Sequence, residues 1–237
     1  MTYSSYNKSG SSLLSVYTAG EASAFYRWEA EEIGMRIIIA SHNQDKIREF
    51  HEIIQDQRIE FTGMGDQGFH DEIKETGTSY RENALIKASA VHRALGGYVL
   101  ADDSGLQLDV LDGFPGIYSA RFAGEKTAYP DKIKRLHELL SDYPQEEWKA
   151  SFHCSLCFID ERGEAFFYDQ EVRGLILAEA RGEHGFGYDP VFYLPELGKT
   201  NAELPAREKN LRSHRGLALL AWYRDFRERY LGDIDFD

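Results

Sequence analysis

The chain has 237 residues, 42% hydrophobic and 28% charged, an ordinary mixture for a globular protein with a sizeable core. Its 40 acidic against 27 basic side chains give a formal charge of -13, which sets nucleic-acid polymers back as partners but leaves room for a small anion held by a local cationic cluster. No run approaches the roughly 20 apolar residues of a membrane span, and two cysteines, Cys154 and Cys157, make no disulfide framework, so a reducing, cytoplasmic setting is expected.

Residues 1–34 differ from the rest of the chain. They are rich in Ser, Tyr and Gly early on and turn helix-like through 21–32. They are too acidic for a mitochondrial presequence, and their apolar stretches are too short for a secretory signal. They read as an extension of unknown role, a misplaced start or added sequence, with an accessory helix as the alternative. Residues 35–237 read as one domain.

From Arg36 the pattern becomes α/β. Residues 36–40 form a short apolar strand, and Ile47, Phe50, Ile53 and Ile54 come next at helical spacing. A second strand ends at Phe61. Ser79-x-x-Glu82 is a capping-box signature ahead of Leu85, Ile86, Ala88, Val91 and Leu95, with Gly96 as the stop. The apolar run 98–101 predicts a strand that ends in Asp102-Asp103-Ser104-Gly105. Ile133, Leu136, Leu139 and Leu140 mark a helix closed by Pro144. Residues 148–159 and 164–177 predict a long hairpin turning at Asp160-Glu161-Arg162-Gly163. A loop-rich stretch, 182–205, leads to a last helix that begins near Ser213 and carries Leu217, Leu220, Tyr223 and Phe226.

Several constellations carry possible chemistry. Ser41-His42-Asn43-Gln44-Asp45-Lys46 joins a strand to a helix start, where backbone N–H groups, a hydroxyl, an amide and an ammonium suit an anion; an ordinary cap is the plainer reading. Glu75 is a metal ligand or a solvated loop acid, and Lys87 either snorkels or faces a site. Asp102 and Asp103 are adjacent on an extended segment, so they point to opposite faces and take different jobs. One would bind a cation or activate water while the other holds the chain; an Asp-rich turn is the alternative. Cys154 and Cys157, three apart on a strand, diverge and make no redox or metal pair. Gly198-Lys199-Thr200 is no P-loop, because Tyr193 stands where the first glycine is needed. Phe186 or Tyr188 offers a ring to a planar base and Asp189 an acceptor, unless that loop simply packs on the core. Glu208-Lys209-Asn210 and Ser213-His214-Arg215-Gly216 crowd donors at a helix start.

Together these pieces resemble the inosine triphosphate pyrophosphatase (HAM1-like) family, from Met35 to about Ala221. The resemblance rests on Ser41-x-Asn43-x-x-Lys46, Glu75-Thr76-Gly77, Ala101-Asp102-Asp103-Ser104-Gly105-Leu106 and Pro115-Gly116-Ile117-Tyr118-Ser119-Ala120-Arg121. It continues through Gly185-Phe186-Gly187-Tyr188-Asp189-Pro190, Ala202-Glu203-Leu204, Glu208-Lys209-Asn210 and Ser213-His214-Arg215-Gly216. It implies the elongated α/β fold of the ITPase- and Maf-like proteins: a strongly twisted mixed β-sheet flanked by helices, with an active-site cleft between two lobes, and a homodimer. It implies Mg²⁺-dependent hydrolysis of ITP, dITP and XTP between the α- and β-phosphorus atoms, giving monophosphate and pyrophosphate. By position, Ser41, Asn43 and Lys46 would bind phosphates, with Lys209 helping. Glu75 and Asp103 would hold Mg²⁺, and Asp103 would accept the proton. Ser104 would contact substrate, and Phe186, Gly187, Tyr188, Asp189, His214 and Arg215 would enclose the base.

Asp45 and His42 depart from the small or basic residues common there, and Asp45 sets a negative charge beside Lys46. Arg215 facing O6 would favour a 6-oxopurine over adenine, whose amino group is left unpaired. The competing readings are a Maf-like pyrophosphatase for other modified nucleotides and a non-catalytic nucleotide sensor. An RNA-binding module is set back by the charge.

Overall fold

The computed structural model describes residues 34–232. The proposed extension and its helix-like stretch 21–32 therefore lie outside the described residues, Gly34 apart. Strand β1 (Met35–Ile39) leads into helix α1 (Gln44–Ile53), which returns to β2 (Ile59–Gly63). Helix α2 (Tyr80–Leu95) comes next, with Ser79 Oγ accepting the Glu82 N–H and Gly96 closing it at a φ of 68°. The Glu82 carboxylate reaches one residue further back than the capping-box signature expects, to the Thr78 N–H and hydroxyl.

Strand β3 (Tyr98–Leu108) is the main departure from expectation: it runs straight through the aspartate pair, so Asp102 and Asp103 stand mid-strand and not at a strand end. The strand continues because β4 pairs with it throughout, Asp102 opposite Leu156 and Asp103 opposite Ser155. Cationic side chains meet the two carboxylates on each face, so burial does not break the ladder. Gly105 permits the close approach of the next segment; a Cβ there would lie 2.2 Å from the Gly116 carbonyl oxygen.

Helix α3 (Tyr129–Leu140) precedes the predicted hairpin, β4 (Lys149–Ile159) and β5 (Ala165–Ile176). The stretch 182–205, expected as loop, contains β6 (Phe192–Leu194), β7 (Lys199–Thr200) and a 3-10 turn, Asn201–Glu203. Strands of three and two residues are shorter than any periodicity can register. A short helix, α4 (Ala206–Arg212), likewise escaped the pattern and precedes α5 (His214–Phe226), which Ser213 caps as expected.

The strands form one open, mixed sheet in the order β2-β1-β3-β4-β5-β6-β7, with β1 parallel to β3 and the pairs from β3 onward antiparallel. Helix α2 covers one face over Val99, Ala101, Cys157 and Ile159. Helix α5 brings Trp222 and Phe226 against Phe158 on the other. Around α3 a further cluster gathers Leu106, Leu108, Leu136, Trp148, Phe152 and Phe192. Cys154 and Cys157 are buried and unbridged, and burial raises both thiols, Cys157 to about 12, so neither is a nucleophile or ligand. No described helix is long and apolar enough to cross a membrane.

Candidate active site

The alternation of β3 sends its two aspartates to different partners. Asp102, almost fully buried, places Oδ2 3.0 Å from Lys46 Nζ and 3.1 Å from Arg215 Nε, and the Ser104 hydroxyl also donates to it. Burial opposes its charge most strongly, yet Lys46, Arg215 and Lys87 together outweigh it and hold the carboxyl far below the usual range. Asp103 faces α2. Its Oδ2 accepts from Asn83 Nδ2 at 3.1 Å and its Oδ1 from Lys87 Nζ at 3.2 Å. Burial raises the Asp103 pKa, the Glu75 charge adds to that, and Lys87 and Lys46 only partly offset it. Neighbouring carboxylates on one strand are thus tuned in opposite directions.

Behind Asp102 lies a chain of alternating charges. Arg215 donates from Nη1 to Glu49 Oε2 at 2.7 Å and from Nη2 to Ser104 Oγ at 2.9 Å. Lys209 Nζ reaches Glu49 Oε1 at 2.9 Å and Asp189 Oδ2 at 2.8 Å. Glu49, Lys209 and Arg215 are all buried, as such charges are only when paired. Arg215 thus spends one N–H on each of its three nitrogens and keeps two, and it lines the cleft. Asp189 also uses both oxygens internally: Oδ1 accepts from Asn201 Nδ2, and Oδ2 additionally takes the Phe186 N–H. Lys209 lies beneath Phe186, its Nζ 4.8 Å from the ring centroid, and Arg215 Cζ lies at 5.6 Å.

Ser41 and Asn43 serve as the helix cap of α1. Ser41 Oγ accepts the Asn43 N–H, and Asn43 Oδ1 accepts those of Asp45 and Lys46. The Asp45 carboxylate turns to Arg48 instead of bearing on Lys46. Ser41, His42, Asn43, Lys46, Lys87 and Arg121 line one arm of a cleft. That arm shares Asn43, Lys46, Glu75, Lys87 and Ala120 with a second arm lined by Ser104, Phe152, Phe186, Gly187, Tyr188, His214 and Arg215. The first arm sets Lys46, Lys74, Lys87 and Arg121 against Glu72, Glu75 and Glu125, and the second gathers the aromatic rings, so the first is the cationic arm and the second the aromatic arm. His214 stacks on Phe152, centroids 4.7 Å apart; burial above all, then the Arg215 and Lys209 charges, keeps it neutral.

At the junction, Lys87 Nζ lies 2.7 Å from Glu75 Oε1 as well as 3.2 Å from Asp103 Oδ1, so two carboxylates converge on one point. Arg121 Nη1 reaches the other Glu75 oxygen at 3.3 Å. Glu75 and Asp103 offer hard oxygens of the kind Mg²⁺ takes, with the Lys87 ammonium standing between them in this structure. Among the described residues no cluster of three or more His, Cys, Asp or Glu could hold a metal, so an all-protein cage is not what this site offers. Of the two readings left open for Lys87 the structure shows the second, aimed at Glu75 and Asp103; Glu49 was missed, since a lone helix acid carries no signal of a buried partner.

The Ham1 family model matches residues 37–224. The chain belongs to the Ham1 family. It is 45% identical over 186 residues to the dITP/XTP pyrophosphatase of Thermoanaerobacter sp. (strain X514), covering 78% of this chain and 93% of that protein. The dITP/XTP pyrophosphatase of Bacillus subtilis (strain 168) is 43% identical over 182 residues, 77% of this chain and 92% of that one. The structure of a HAM1 protein from Coxiella burnetii superposes with a TM-score of 0.76 at 37% identity, covering 82% of this chain and 99% of that chain. The Ham1 fold thus accounts for the open mixed sheet and the helices on its faces.

Proposed function

We propose that this Ham1-family protein hydrolyses non-standard purine nucleoside triphosphates, dITP, XTP and ITP, to the monophosphate and pyrophosphate. The names of its relatives supply the substrate class. The observation that carries the mechanism is the opposed tuning of Asp102 and Asp103 at the junction of a cationic and an aromatic cleft arm.

The triphosphate lies in the cationic arm, met by the α1 start, Ser41, Asn43 and Lys46, with Lys87 and Arg121 beside the scissile bond. Asp103 accepts the proton of the attacking water. Asn83 holds the Asp103 carboxylate in orientation. Glu75 and Asp103 would hold Mg²⁺, which when bound would neutralise phosphate charge and lower the pKa of its bound water. Negative charge moving to the pyrophosphate leaving group is stabilised by Lys46 and Lys87. In the aromatic arm Phe186, Tyr188 and His214 enclose the base, Gly187 leaves room beside it and Ser104 meets the sugar side. Asp189, Lys209 and Arg215 hold the Phe186 loop, and the remaining N–H groups of Lys209 and Arg215 face substrate.

Pyrophosphate release from ITP, dITP, XTP, GTP, ATP and dTTP, with Mg²⁺ and with chelator, tests this reading. Release from the first three in Mg²⁺ alone is expected. Turnover of dTTP in preference to the purines would favour a Maf-like pyrophosphatase, and binding without release a sensor. The resemblance also carries a homodimer in the cytoplasm; light scattering on the full chain tests the assembly.

A further inference from the structure

Glu75 and Asp103 come from different parts of the chain, a loop and β3, so their spacing depends on whatever joins the two segments. The loop does little to hold itself. Among the described residues, the stretch 70–78 makes no backbone–backbone hydrogen bond. Its main chain is tied by two side chains of α2, Glu82 to the Thr78 N–H and Asn83 to the Gly77 N–H. Glu82 is exposed, whereas Asn83 is completely buried.

The Asn83 amide uses both of its ends. Its Oδ1 accepts the Gly77 N–H at 2.9 Å, and its Nδ2 donates to Asp103 Oδ2 at 3.1 Å. The reversed amide would set oxygen against carboxylate and N–H against N–H, so the two partners fix its orientation. Gly77 leaves room for this contact: a Cβ there would lie 2.7 Å from Asn83 Oδ1. Lys87, one turn further along α2, also meets Glu75 and Asp103, but through a long, rotatable stem. The short Asn83 side chain is the stiffer of the two links.

Resting on the nucleotide reading above, we propose that Asn83 is the positioning residue of both carboxylates. Beyond orienting Asp103, it fastens the Glu75 loop to β3 and so sets the distance between the two groups. It also divides the work of Asp103 between its oxygens. Oδ2 is committed to the tether, and Oδ1, on the Lys87 side, is the one that takes the proton.

The test uses the full chain and the variants Asn83→Ser, Gly77→Ala and their combination. Serine is too short to span Gly77 and Asp103, and alanine at 77 pushes the loop off the Asn83 amide. Hydrogen exchange on the nucleotide-free protein should quicken about tenfold in 70–78 and stay unchanged in β4 and β5. Pyrophosphate release from ITP in Mg²⁺ should show kcat down about 10–100-fold with KM within about twofold. Both substitutions cut one tether, so the combined variant should fall within about twofold of the poorer single variant. Melting curves check the fold, and Gly77→Ala, in the loop, carries the test if Asn83→Ser unfolds. Unchanged exchange in 70–78, exchange quickened throughout the domain, a raised KM at unchanged kcat, or additive losses overturns the proposal. Failure of the wild-type chain to release pyrophosphate from ITP, dITP and XTP overturns the nucleotide reading instead, and hydrogen exchange then decides the tether by itself.

Discussion

The two faces of β3 handle charge in opposite ways. Toward α5, Lys46, Asp102, Arg215, Glu49, Lys209 and Asp189 alternate in sign along one chain of contacts, and most of these groups are buried. Toward α2, Asp103 and Glu75 share Lys87 at the floor of an open cleft, and Asp103 is pushed toward the protonated form. Residues one peptide bond apart thus enter a matched-charge network on one face and a carboxylate-lined cleft on the other. Matched charge removes reactivity, whereas a second carboxylate close by sustains it.

Asp103→Asn breaks the reactive face most sharply. It preserves the shape and the Asn83 and Lys87 neighbours, so a fall in turnover of about 10²–10⁴-fold is expected with little change in melting temperature. Near-normal pyrophosphate release from this variant would remove Asp103 from the mechanism. Glu49→Gln attacks the braced face, leaving Arg215 and Lys209 each short of a buried partner. Denaturant unfolding should show about 3–5 kcal/mol lost. A loss under about 1 kcal/mol would mean that the network relaxes around the change.

His214 sharpens the comparison through pH. Burial sets its folded pKa well below 6.5, so the unfolded chain binds a proton before the folded chain does. Stability is then fully present above pH 6.5 and declines as pH falls through the window beneath it, by about 1.4 kcal/mol per pH unit at most. His214→Phe should remove that slope in urea titrations across the window; an unaltered slope refutes it. Smallest is the effect of Asp45→Ala. Its carboxylate is paired with Arg48 at the surface, so a change in KM below about twofold is expected. A larger gain in phosphate affinity would restore Asp45 as a repulsive neighbour of Lys46.

Much of this contrast was legible in the sequence, because strand alternation alone separates Asp102 from Asp103. The hairpin, the Ser79 and Ser213 caps and the inert cysteines come from equally local rules. What escaped depends on distant chain. Lys87 sits among Leu85, Ile86, Ala88 and Val91, and nothing in that pattern tells a snorkelling lysine from one aimed at Asp103. The buried pairing of Arg215 was hidden because its partner Glu49 lies 166 residues away. The continuation of β3 beyond the aspartates was hidden for the same reason: a strand carrying two buried charges is plausible only once their counter-ions are known. The short β6, β7 and α4 are stabilised by what they pack against rather than by their own periodicity.

The Glu49 brace has a kinetic consequence. It spans 160 residues to Lys209 and 166 to Arg215, whereas the β4–β5 hairpin closes over a few. Contacts of such sequence separation are made late, after local pairing has lowered the entropy of closing so large a loop. The Phe186 loop is tied to Lys209 on α4, and Glu49 joins both Lys209 and Arg215, so the aromatic arm is completed only when α1 meets α4 and α5. Refolding followed by activity should therefore lag refolding followed by circular dichroism. A nascent chain lacking α5 would hold its hairpin but no nucleotide.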